Sequence, residues 1–525
     1  MIKNYLSKED TNSIKGIAIL CIVLHNTLHY LQPHIGENEF DFGINHWIGF
    51  VTNSISSPSE FVNLFFSLFG HYGVQAFILI SGYGLTKSML IKRRDWLTFV
   101  VNRICKLLPL VLIGLALAIA FFFLSENRCP NNNEWLMMFH KLTFLHTLIP
   151  NESLTISGPW WFLGLIFQLY LLFPLLFNLV QRYNTKALTV ISTISITLIF
   201  LINYEITNPA CSCLMKNAPA HLSEFTLGIW LANNQDKKMP NWIGITALTT
   251  LILGNVYKFI YPFTYLSASV LTIWLIPIFK RCSKSHIISF IGSISMLMFI
   301  SNGFVRDFIL NNIEHETTLG KYLITGIILM SAIAISAILK PLYNTLVNIL
   351  NKQLSIVNGK TPIRQHAKSI STIIKIATIC VFTYFIAFYS TCSKHLIQED
   401  SLYSIRHIIT EDSTYTSLIH YQKLNSNYLE INIDIEFDIE YKDEIDPLVI
   451  TNLIHNQNDH YWDKTNVIPN TTEGHCHISK QILVNGFSKN DILKVYIWNN
   501  KSDSFEIKDS NVKITGIRSF NYKTT

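Results

Sequence analysis

The chain has 525 residues, 49% hydrophobic and 14% charged, where an ordinary soluble domain carries about 25% charged residues. Such a composition excludes a typical soluble globular protein. The net charge of +6 divides into +12 over residues 1–393 and −6 over 394–525, and the basic residues form no patch or stripe, so no nucleic-acid partner is expected.

Taken in chain order, apolar blocks predict helices at 14–32, 61–86, 107–125, 159–180, 187–203, 219–233, 241–257, 261–279, 286–305, 320–339 and 370–392. A spanning helix needs roughly 20 mostly apolar residues, and most of these blocks approach that length. No small-residue cleavage site follows the first, which reads as a retained helix. Lys/Arg counts in the flanks set the orientation. With the N-terminus inside, the inner flanks hold 21 basic residues and the outer flanks 6. The eleventh span then leaves the remaining chain outside. Cys129, Cys211 and Cys213 fall on that outer side, where they could form a disulfide.

The tail has a different period. Residues 429–441 alternate apolar and polar, the pattern of a half-buried strand. Further strands are predicted at 448–454, 492–498 and 512–517, with a turn at 499–503. The expected architecture is an all-α polytopic membrane bundle of about eleven transmembrane helices (1–393), followed by a small extracytoplasmic β-sandwich domain (394–525).

Five segments concentrate polar groups in the apolar part. On the first helix, at about 100° per residue, Asn26, His29 and His25 lie at about 20°, 320° and 280° from Lys15, within roughly a 100° arc. An apolar helix turns such a stripe to a protein interior or a water-filled cavity. The second segment, Gly70-His71-Tyr72-Gly73, suggests a break in its helix. The third is the basic run leading to Arg103-Ile104-Cys105-Lys106. The fourth is Gly158-Pro159-Trp160-Trp161-Phe162, and the fifth is His221-Leu222-Ser223-Glu224.

In this order the five segments resemble the acyltransferase 3 family of integral membrane acyltransferases, over roughly residues 10–345. The resemblance implies transfer of an acyl group, often acetyl, from cytoplasmic acyl-CoA to a hydroxyl of a glycan or lipid-linked sugar. It also implies a basic residue followed eleven positions later by a catalytic histidine. Here Lys15 holds the basic place, Asn26 the eleventh position, and His25 comes one earlier. The family's Arg-x-x-Arg appears as Arg103-x-x-Lys106, which keeps the charge and loses one planar fork.

The chemistry fits these residue types. A hydroxyl acceptor needs a base, and histidine suits neutral pH; His25 is the first candidate and His29 the second. A developing oxyanion needs donors, which Asn26 can supply. Lys15, Arg103 and Lys106 would receive the phosphates of acetyl-CoA or another acyl-CoA. Glu37, Glu39, His71, Trp160 and Glu224 are the candidates for binding the acceptor. No metal-type Cys pair occurs, and no metal is expected. The protein is placed in a bacterial inner membrane, among lipid, with a cytoplasmic N-terminus. An exporter of glycans or small solutes is the alternative, since it would share the topology and the polar cavity.

Overall fold

The computed structural model describes residues 6–358, apart from 34, 126, 150–151, 204–213, 235–238 and 314–316, together with nine strands between 392 and 519. It divides into two compact units, one of Met1–Ile206 and Ser212–Val381, the other of Thr207–Cys211 and Phe382–Thr525.

The first unit is helical. Its elements are α1 (Lys8–Leu28), α2 (Ile44–Ser56), α3 (Phe61–Phe69), α4 (Gly73–Ile91), α5 (Trp96–Ser125), α6 (Asn132–Leu142) and α7 (Trp161–Tyr183). Then follow α8 (Thr185–Asn203), α9 (Leu222–Asn233), α10 (Asn241–Gly254), α11 (Thr264–Trp274), α12 (Ile276–Cys282), α13 (His286–Leu310) and α14 (Thr318–Asn358). Among the described residues, six helical stretches are long and apolar enough to cross a membrane, or seven if the pair α11–α12, bent by 55°, is one span. The chain is thus a multi-pass membrane protein.

The described residues supply six or seven of the roughly eleven expected spans, and for two of the others length is the reason. The apolar blocks at 219–233 and 241–257 fold as helices of 12 and 14 residues, short of the roughly 20 that a bilayer demands. The first block belongs to a helix carrying Lys8, Glu9, Asp10 and Lys15. The predicted span at 370–392 and the cysteines 211 and 213 lie outside the described residues.

The core forms around α1, which packs along α13. The two backbones meet at Gly292, where an added Cβ would stand 1.8 Å from the Asn12 carbonyl oxygen. Only glycine permits that approach, as at other close helix crossings in membranes. A capping box between Ser7 and Asp10 fixes the start of α1 by satisfying two of its free N–H groups. The order of α1 places Lys15 two turns or more before His25, and this distance separates the two functional regions described below.

The second unit contains β1 (Cys392–Leu402), β2 (His407–Ile409), β3 (Tyr415–Lys423), β4 (Tyr428–Tyr441), β5 (Pro447–His455), β6 (Asn458–Asn466), β7 (Gly474–Phe487), β8 (Ile492–Asn499) and β9 (Phe505–Ser519). One sheet has the order β1-β9-β4-β7 with β2 also paired to β9; the other has the order β3-β8-β5-β6. All pairings are antiparallel. The four strands expected from alternation coincide with β4, β5, β8 and β9. The turn expected at 499–503 lies, beyond Asn499, outside the described residues. The strands on either side of it join different sheets rather than pairing with each other.

Candidate active site

The polar stripe of α1 opens on two separate cavities. Near its C-terminal end a cavity of about 180 Å³ is lined by His25, Asn26, His29, Glu37, Glu39 and His71, with Arg306 and Trp161 at its wall. Near its N-terminal end a cavity of about 250 Å³ is lined by Lys15, Lys106, Lys340, Tyr170 and Tyr343.

His25 is 4% exposed. Its Nδ1 lies 3.1 Å from the carbonyl oxygen of Phe66. A carbonyl only accepts, so Nδ1 carries the proton and Nε2 keeps its lone pair. The contact exists because the chain breaks at Gly70–Tyr72, a 3-10 turn between α3 and α4. A Cβ on Gly70 would sit 2.7 Å from the Cβ of His25, so the break closes on α1 only with glycine there. The same turn brings His71 beside His25, ring centroids 5.5 Å apart. His71 is 1% exposed, and neither ring nitrogen has a hydrogen-bond partner among the described residues.

His29 stacks on His25 at 5.5 Å and donates through Nδ1 to Glu37 at 2.7 Å. Burial opposes a charge on Glu37, but the bond from His29 and the nearby His25 and His71 outweigh it and hold the carboxyl down at about 2. Glu39 behaves oppositely. Burial, reinforced by the Glu37 charge and partly offset by Lys216, pushes its carboxyl up to about 8. One glutamate is therefore ionised and its neighbour neutral near pH 7, an arrangement typical of acid–base sites.

Between them, Asn38 is fully buried and anchors the loop. Its Oδ1 accepts from the Gly43 N–H and from His46, and its Nδ2 donates to Asn255. Tyr261 and Tyr265 donate to the Glu39 carbonyl. The sequence offers no signal for the long-range part of this anchor, because Asn255, Tyr261 and Tyr265 lie more than 200 residues away.

Asn26 donates from Nδ2 to Oδ1 of Asn302 at 3.1 Å. Asn302 in turn donates to the carbonyls of Met298 and Phe299, which fixes its amide orientation. One Asn26 N–H is thus committed and the second remains for an oxyanion. Arg306 donates to the Asn26 carbonyl at 2.9 Å and lies over the Tyr30 ring. Arg306 belongs to none of the five segments that stand out in the sequence.

Other expected site residues fall elsewhere. Trp160 is fully buried, donates its indole N–H to the Ile300 carbonyl at 3.0 Å, and does not line the cavity; its neighbour Trp161 does. Glu224 is also fully buried and bonds His221 at 2.9 Å and Ser223 at 2.6 Å. It reaches the cavity only through His221, whose ring stacks on Trp161. Arg103 lies beneath neither cavity: it sits one turn before Lys106 on α5, over the Phe99 ring.

Ligand atoms of His25, Glu37 and Glu39 lie within 4.8 Å of one another, a spacing that would also fit a cation.

A family model described as an acyltransferase domain matches residues 10–341. The acyltransferase MdmB of Streptomyces mycarofaciens is 31% identical over 124 residues, covering 23% of this chain and 31% of that protein. The match thus spans about a third of the relative's length. No solved structure matches.

Proposed function

The chain belongs to the acyltransferase 3 family, and from that premise we propose that it moves an acyl group, acetyl in particular, from acyl-CoA to a hydroxyl of an envelope glycan or lipid-linked sugar. Acyl transfer accounts for the histidine cavity better than solute export, the alternative raised by topology alone. The observation that carries the reading is the placement of two chemically different cavities along one helix: a cationic one at Lys15 and a histidine one at His25.

On this reading the CoA phosphates are drawn to Lys15 and Lys106, with Arg103 at the approach. The thioester extends along α1 toward His25. The acceptor hydroxyl enters from the other side, between Glu37, Glu39 and Trp161. Nε2 of His25 takes the hydroxyl proton as the oxygen attacks the thioester carbonyl. The free N–H of Asn26 donates to the oxyanion. Glu37, through His29 and by its charge, stabilises the imidazolium. Collapse breaks the C–S bond, His25 returns its proton to the thiolate, and ester and CoA thiol leave.

The lysine cavity faces the cytoplasm of a bacterial inner membrane in this scheme, and the strands form an extracytoplasmic β-sandwich accessory domain. The test uses full-length protein with acetyl-CoA and an envelope glycan extract. Acetyl transfer that disappears in His25→Ala, while CoA still binds, supports the reading. Undiminished transfer in that variant removes His25 from the role.

A further inference from the structure

The two cavities do not merge. Four elements change sides at one height in the bundle. On α1 Lys15 lines the lysine cavity and Ile22 the histidine cavity; on α4 the change falls between Phe77 and Val74. On α13 it falls between Leu297 and Phe299, and on α7 between Phe162 and Trp161. Phe77, Phe162 and Phe299 meet in this layer. Their centroids are 6.2 Å (Phe77–Phe162), 6.3 Å (Phe77–Phe299) and 4.9 Å (Phe162–Phe299) apart. None is more than 2% exposed. Phe77 and Phe162 close the lysine cavity, and Phe299 closes the histidine cavity, so each ends on the same cluster.

We propose that Phe77, Phe162 and Phe299 form a septum that selects the acyl group, admitting a short acyl thioester to the histidines and rejecting longer chains. The proposal rests on the reading that the donor enters from the lysine side. Three rings offer no hydrogen bond to the phosphates or amides of the donor, so its polar body stays with the lysines and only the acyl end enters the layer. Packed aromatic rings yield little volume, and each added methylene must displace them. An apolar pocket distinguishes one methylene by about 10- to 200-fold, so a septum of this kind can set chain length. The rings also keep water in the lysine cavity from reaching the thioester carbonyl.

The experiment measures thiol release by the purified full-length protein from acetyl-, butyryl- and octanoyl-CoA with water as acceptor. The C–S bond breaks, a C–O bond to water forms, and carboxylic acid and CoA thiol result, with no redox change. Phe299→Ala and Phe162→Ala are expected to raise the butyryl-to-acetyl ratio of kcat/KM about 10-fold or more. Phe77→Trp is expected to lower that ratio. Phe299→Leu and Phe162→Leu keep the layer apolar and nearly filled. They carry the same test with a smaller shift, roughly threefold, should the alanine variants fail to fold. An unchanged ratio in folded variants whose thiol release still depends on His25 overturns the septum and leaves the acyltransfer reading standing. Absence of His25-dependent release from all three thioesters in the unmodified protein overturns that reading and the septum with it.

Discussion

The two ends of α1 are built differently. At the histidine end the groups flanking the base are tethered, His71 excepted: His25 to the Phe66 carbonyl, Asn26 to Asn302, His29 to Glu37, and the loop through Asn38 to Asn255. At the lysine end the charges sit on flexible stems; Lys106 is exposed and Lys15 half-buried. Proton transfer requires a base held within a fraction of an ångström, whereas attracting a phosphate requires only charge within reach. The contrast teaches that rigidity is concentrated where bonds would change, and that substitutions at the two ends should damage different kinetic constants.

The largest expected effect falls at the tethered end. His25→Ala should lower kcat by about 10²- to 10⁴-fold while leaving KM for acetyl-CoA nearly unchanged. Steady-state kinetics at saturating acceptor extract check this; a change confined to KM would erase the contrast between the ends. Next comes the flexible end. The double substitution Lys15→Ala and Lys106→Ala should raise KM for acetyl-CoA about 10-fold with kcat little altered. The increase should shrink at high salt, which already screens the unmodified site. A titration of KM against ionic strength for both proteins checks it.

The smallest effect is thermodynamic and concerns the rim glutamates. Glu39 holds its proton up to about 8, above the ordinary 4.5, so the folded protein binds that proton more tightly than the unfolded chain. Its contribution to stability is therefore full below about pH 4.5 and is lost as pH rises through about 8. Glu37, held at about 2, acts with the opposite sign, and its stabilisation fades as pH falls from about 4.5 toward 2. Glu39→Gln should thus raise the Tm more at about pH 9 than at about pH 5, by a few degrees. Melting curves of the purified protein at both pH values test the sign; an equal shift at both would mean that Glu39 is ionised throughout.

How much of this was legible in the sequence depends on the range of the interaction. The α1 stripe could be read because helical periodicity is local, and the structure does place His25, Asn26 and His29 on one cavity. The period-two alternation located β4 for the same reason, whereas β6, with Asp459, His460, Asp463 and Lys464 among its nine residues, offered no such pattern and was missed. Among the described residues, the blocks that became α9 and α10 were overread as spans, because apolar composition does not report helix length. The Asn26–Asn302 bond and the Asn38–Asn255 anchor join residues 276 and 217 positions apart, and no local pattern encodes them. By residue type Trp160 suits packing or stacking on a sugar, and the turn at Gly158–Trp160 directs it into the core and gives Trp161 the cavity.

The central claim, that one helix carries donor charge at one end and base at the other, is tested most directly by photo-crosslinking. An acyl-CoA thioether analogue with a diazirine on its acyl chain and another on its adenine would be bound to the full-length protein, irradiated and mapped by mass spectrometry. The account predicts acyl-chain adducts around Phe299 and His25 and adenine adducts near Lys106, all competed by acetyl-CoA. Competed adducts with the adenine beside Glu37 and the acyl chain beside Lys15 would reverse the polarity and contradict it.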